Sequence, residues 1–194
     1  MIIKAYNDNH NYLLFIDLEF NNQNLVQFAG LLFNKIDTET YQLSRSLNTY
    51  ISQTVCYPFM EYTSITNNFL TENGIPLDDA RELIMHDFLK DVPLNELEII
   101  SHGLKNDRLV LFNSNINLST YERKPIDGYC TYNNARRILK RAEHLTLTDL
   151  AEEAGYYLHS AHNAYNDVWA EVSVFTYLRK IEKQKGEESC CLQT

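Results

Sequence analysis

The sequence predicts an α+β or α/β domain, and three observations carry that expectation. Branched and aromatic residues fill long runs in the first 51 positions, apolar residues then recur at helical spacing, and a short apolar strand is followed by further helices. Residues 12–20 (YLLFIDLEF) read as a strand rich in β-formers. Residues 25–33 form a second apolar run and 41–51 a third, and the short connections between them suit an antiparallel three-strand meander. Leu77, Ala80, Leu83, Ile84 and Phe88 then repeat at helical spacing, with Asp78 and Asp79 near the start, where acids favour the helix dipole. Residues 97–101 are a short strand, and 108–112 and 136–141 read as helices. Residues 147–154 form another, stopped by Gly155, and 166–183 a long amphipathic one carrying Val168, Trp169, Val172, Phe175 and Leu178. No repeat or linker interrupts the pattern, so 1–185 is expected as one domain and 186–194 as a flexible tail.

Composition narrows the class. Of 194 residues 44% are hydrophobic, too many for a disordered chain. The formal charge of -9 argues against coating nucleic acid or membrane through bulk positive charge. No apolar stretch resembles a signal peptide or a membrane span. Cys56, Cys130, Cys190 and Cys191 have no zinc or thioredoxin spacing, and a reducing cytoplasm is the expected location. The terminal Cys191-Leu-Gln-Thr has a cysteine at the prenylation position, but polar Gln193 stands where an aliphatic residue is expected.

Carboxylates recur in four places. Asp17 and Glu19 share one face of the first strand, and two like charges side by side in an apolar segment call for a cation or an exposed strand end. Asp107 follows the Leu97–Ser101 strand, where open sheets bind ligands, although taken alone a helix N-cap is the simpler reading. His162 precedes Asp167 by five residues at the mouth of the last helix, as a catalytic pair or as a cap beside a loop histidine. Taken together, four carboxylates offer oxygen ligands for Mg²⁺ or Mn²⁺, and a nearby histidine offers a base near neutral pH.

In order and spacing, Asp17-Leu-Glu19, Asp107 and His162-xxxx-Asp167 resemble the DEDDh exonucleases of the DnaQ-like (RNase H-like) superfamily. The likeness runs from Leu14 to about Tyr177 and includes Ile65-Thr66 after the third strand and the segment from Leu147 to Gly155. Residues 14–20, with Gly103 in the second motif, look most like the sporulation-inhibitor and ERI-type exonucleases. The resemblance implies an RNase H-like α/β fold: a mixed five-stranded sheet, three antiparallel strands and then parallel ones, flanked by helices. It implies a 3′–5′ exonuclease that uses two divalent cations, Mg²⁺ or Mn²⁺, and releases nucleoside 5′-monophosphates. Asp17 would bridge the metals, Glu19 and Asp167 complete the inner site, Asp107 hold the second ion, and His162 act as general base. Phe20 stands where many members have Thr, His102 where close relatives often have Trp, and Asn106 where many have an aromatic. These departures touch the base pocket and spare the metal ligands.

The partner implied is the 3′ end of single-stranded RNA or DNA, with RNA slightly favoured. A DNA proofreading or repair enzyme and a non-catalytic adaptor are the alternatives, and a homodimer or protein partner is compatible with the family. Leu18, Phe20, Ile65, Thr66, Lys105 and Arg108 are the candidate substrate contacts, with core packing the competing explanation for Phe20 and Ile65. Arg136 with Lys140, and Arg137 with Arg141, are spaced to share one basic helix face for phosphates. Residues 105–141 hold 8 basic and 3 acidic residues, so the overall acidity conceals a local positive segment beside Asp107.

Overall fold

The computed structural model of the chain describes residues 1–6, 8–119, 125–158 and 162–191, the last five as backbone alone. Strands β1 (Ile2–Lys4), β2 (Tyr12–Asn21), β3 (Asn24–Lys35), β4 (Thr40–Tyr50), β5 (Leu97–Ser101) and β6 (Asp127–Cys130) form one sheet in the order β1-β4-β3-β2-β5-β6. β2, β3 and β4 are the expected antiparallel meander, and β2–β5 and β5–β6 pair parallel. The expected five strands become six because Ile2–Lys4 adds an antiparallel edge to β4. Of its three residues only Ile3 is buried, which leaves no alternation to read.

The helices are α1 (Tyr57–Thr63), α2 (Asn67–Asn73), α3 (Leu77–Glu82), α4 (Leu104–Asn113), α5 (Thr131–Leu139), α6 (Leu147–Glu153) and α7 (Ala164–Cys191). α3 runs on as a turn of π-helix, Leu83–Phe88. The stretch 186–191, expected as a flexible tail, continues α7, and 192–194 lie outside the described residues. Cys56 and Cys130 are free thiols. No described helix is long and apolar enough to cross a membrane.

Strand alternation sorts the core into two layers. Leu13 and Phe15 face α5, α6 and α7, where Phe15 meets Phe33 and Phe175 edge-on at 5.4 and 5.2 Å. Leu14, Ile16 and Leu18 face the other way, against Ala80, Ile84, Leu104 and Leu111 of α3, its π-turn and α4. A smaller cluster, Val26, Val55, Phe59, Ile65 and Leu70, seats α1 and α2 at one end of the sheet.

Gly30 shows how tightly the second layer closes. A methyl group there would lie 2.9 Å from both Phe28 and Phe88, two rings already packed edge to face at 6.2 Å. Gly30→Ala is expected to cost about 1–3 kcal/mol, as overpacking does, and urea unfolding would read it; an unchanged midpoint would contradict the close packing.

Before the start of β2 an ionic network, buried at Asp8 and Glu98 and exposed at Asp127, ties four segments together. Arg179 of α7 bonds Asp8 at 2.9 Å and Glu98 of β5 at 3.3 Å, and His10 bridges Asp8 and Asp127. Burial and the neighbouring Asp8 push the Glu98 carboxyl up to about 8. Asp8, His10 and Glu98 lie close enough to hold an ion, but the Arg179 guanidinium already supplies the positive charge between the two carboxylates.

The basic helix face expected over 136–141 does not form, because α5 ends at Leu139 and Lys140 turns into the left-handed region as its cap. Arg137 pairs with Glu182, and Arg141 with Glu153 and Glu143. Arg136 lies over the Tyr132 ring and donates to the Ala142 carbonyl.

Candidate active site

Asp17 and Glu19 continue the face of Leu13 and Phe15, so both carboxylates point toward α7. There the first turn of α7 presents Asp167, and one oxygen from each of Asp17, Glu19 and Asp167 falls within 4.8 Å of the others. Because β2 and β5 run parallel with Phe15 opposite Ile100, β5 ends just beside Asp17, and the segment that follows it brings in Asp107. Gly103 is the N-cap of α4 and Asp107 sits inside its first turn, where its carboxylate accepts from Ser101 Oγ rather than capping the helix. All four acids line one open cavity of about 630 Å³, with His162 at its wall.

Bringing these acids together is electrostatically costly, and their protonation records it. Burial, then the Asp107, Asp167 and Glu19 charges, hold Asp17 well above its ordinary value. Burial, followed by Asp167 and Asp107, lifts Glu19 to about 7. Burial likewise raises Asp107 to about 7, and Asp167 to about 6 against the pull of two backbone N–H donors. Asp167 Oδ1 is buried without a hydrogen-bond partner. Clustered, desolvated oxygens with an unpaired lone pair are the donor set of a hard divalent cation.

Two backbone features complete the geometry. Gln27, buried in β3, donates to Asn48 and accepts from the Ala164 N–H at 3.3 Å, fixing the start of α7 against the sheet. His162 adopts φ 63°, a left-handed conformation that costs about 1–2 kcal/mol for a residue with a side chain, and its N–H donates to Asp167 Oδ2 at 3.0 Å.

The remaining sequence candidates separate. Leu18 and Phe20 line the cavity, Phe20 at 36% exposure. Ile65 packs into the core with Phe59 and Leu70, and Thr66 caps α2 by accepting from Phe69 N–H. Lys105 is exposed outside the cavity lining, while Arg108 turns away to the Ile126 carbonyl beside Gly128.

Several residues of the cavity went unread in the sequence. Tyr62 of α1 stacks on His162 with ring centroids 3.7 Å apart. Tyr132 and His144 face each other at 5.6 Å on the opposite bank, beside a neutral His102 whose burial pushes it down to about 4. Glu171 is fully buried one turn after Asp167 and accepts from the His102 N–H, with its other oxygen unpartnered. Burial, then Asp17 and Asp107, hold it well above its ordinary value. An acid four residues beyond Asp167, on the apolar stripe of α7, was the available signal for it.

No sequence-family model and no curated protein sequence matches the chain. Solved structures do. The nuclease domain of 3′hExo, described as a DEDDh family member bound to rAMP, superposes with a TM-score of 0.67 at 14% identity, over 93% of this chain and 94% of that one. Exonuclease X in complex with 5′ overhanging duplex DNA gives 0.61 at 16%, over 90% and 93%. Exonuclease I of E. coli in complex with a dA16 oligonucleotide gives 0.69 at 14%, over 90% of this chain and 42% of that enzyme. The chain thus has the RNase H-like α/β fold that these exonucleases share, among them 3′hExo, described as a DEDDh family member.

Proposed function

We propose that the protein is a metal-dependent 3′–5′ exonuclease that hydrolyses the terminal phosphodiester of single-stranded nucleic acid, RNA ahead of DNA, to nucleoside 5′-monophosphates. The observation that carries this reading is the convergence of Asp17, Glu19 and Asp167 within 4.8 Å in an open cavity that Asp107 and His162 also line. Asp17, Glu19 and Asp167 would hold one divalent cation, Mg²⁺ or Mn²⁺, and Asp107 with Asp17 a second. Bound there, the ions supply Lewis acidity for the attacking water and the leaving 3′ oxygen. His162 takes the proton from that water. Leu18 and Phe20 pack against the terminal nucleoside, a contact that tolerates any base. The preference for RNA draws support from the ERI-like first motif.

Equal-sequence single-stranded RNA and DNA, labelled and either free or blocked at the 3′ end, test this directly. With Mg²⁺ or Mn²⁺ the free ends are expected to yield 5′-mononucleotides, the blocked ends to resist, and EDTA to stop both. Internal fragments from blocked substrates would overturn the exonuclease assignment.

A further inference from the structure

We propose that Tyr62 is the positioning residue for His162, a role that rests on the exonuclease reading above. A general base works only when something orients its ring, usually an acceptor bonded to the far nitrogen. Among the described residues His162 lacks that acceptor, since neither ring nitrogen makes a hydrogen bond. Its left-handed backbone and the N–H bond to Asp167 fix where the side chain starts. They leave both side-chain rotations open.

Tyr62 closes that freedom. Its ring lies on the imidazole at 3.7 Å between centroids, with the planes tilted by 35°, closer than most aromatic pairs approach. It arrives from α1, a hundred residues away in sequence, so nothing local in the His162 loop dictates the contact. Partial desolvation, then the charges of Glu19, Asp167 and Asp17, raise the Tyr62 phenol. Both rings line the cavity. At 62% exposure Tyr62 has no packing duty that would require an aromatic residue there. The stack takes the place that a carboxylate holds in a catalytic triad: it sets the ring orientation without adding another negative charge to four crowded acids.

The full chain, labelled with ¹³C and ¹⁵N histidine, gives a readout independent of turnover. The His162 ring protons are expected to be shifted upfield by Tyr62, to stay shifted in Tyr62→Phe, and to return toward free-histidine positions in Tyr62→Leu. In the exonuclease assay Tyr62→Leu should lower kcat about 10–100-fold, the scale of a misplaced catalytic group, with little change in KM, and Tyr62→Phe should restore it. In a His162→Ala background the same Tyr62→Leu change should cost less than about twofold, because residues acting as one unit are not additive. A full loss that persists in that background, or a KM rise at constant kcat, would overturn the proposal and make Tyr62 a stacking platform for the substrate base. Identical His162 resonances in wild type and Tyr62→Leu would overturn it as well. If the wild-type protein degrades no nucleic acid, the exonuclease reading falls, and the resonances alone decide whether Tyr62 orders His162.

Discussion

His162→Ala is expected to lower kcat roughly 10²–10⁴-fold, the usual contribution of a placed general base, while KM, metal binding and stability change little. The structure explains why the loss should be confined to turnover. Only the backbone N–H of His162 bonds Asp167, and alanine retains that donor. Alanine also carries a Cβ, so the left-handed backbone stays strained after the substitution and that cost is not relieved. What disappears is the imidazole and its stack on Tyr62. Single-turnover hydrolysis with Mn²⁺, alongside a Mn²⁺ titration of the variant, separates the two effects. Turnover close to wild type would remove His162 from the mechanism.

The second large effect concerns stability against pH. In the metal-free protein Glu19, Asp107 and Asp167 titrate near 7, 7 and 6, and Asp17 is displaced in the same direction. The native state therefore holds protons that the unfolded chain has already released. Their stabilising contribution is complete below the ordinary carboxylate values near 4 and is lost as pH rises through 6 to 7. Glu98, displaced to about 8 in the Arg179 network, extends the same decline upward. In EDTA the Tm should accordingly fall between pH 5 and pH 8. Mn²⁺ should raise it strongly at pH 8 and weakly at pH 5, because the cation replaces the protons that the cluster would otherwise keep. Asp17→Asn removes the charge that feels Asp107, Asp167 and Glu19 together. It should raise the metal-free Tm at pH 8 by several degrees, flatten the Mn²⁺ response and abolish hydrolysis. Differential scanning fluorimetry across pH, with and without Mn²⁺, checks all three, and a wild-type Tm in EDTA that is level from pH 5 to 8 would contradict the reading.

Legibility in the sequence followed the length and regularity of each element. β2, β3 and β4 are ten residues or longer and apolar enough to be read. α7 carries its stripe for many turns, so the helix that presents Asp167 to the acidic cluster could be located. β6, four residues with a glycine, has too little alternation to stand out. α1 and α2 are seven residues each with one or two buried positions, too short for a helical period to register. That is why Ile65 and Thr66 stood as substrate candidates; Ile65 takes its competing role in the small core cluster, and Thr66 caps α2. Asp17 and Glu19 were visible because they interrupt an apolar strand, and Asp107 and Asp167 because one follows a strand and the other opens the last helix, in the order of the family motif. Tyr62, Gln27 and Glu171 owe their roles to partners about 100, 137 and 69 residues away, a relationship that no single window contains. The basic pairs at 136–141 failed for a local reason: the helix stops at Leu139, and two of the four side chains leave its face.

The Arg179 network has a mechanical consequence for the site. α7 presents Asp167 at its start, and Arg179 lies twelve residues on, roughly 18 Å along the axis at 1.5 Å per residue. Gln27 pins the helix at one point and Asp8 with Glu98 pin it at the other, so α7 is a beam fastened to the sheet at both supports. Sliding or rolling it to open the cavity would tear a guanidinium from two buried carboxyl groups, Asp8 and Glu98. The wall that carries Asp167 is therefore braced at both ends, whereas the α1 bank opposite it is seated only on its own small cluster.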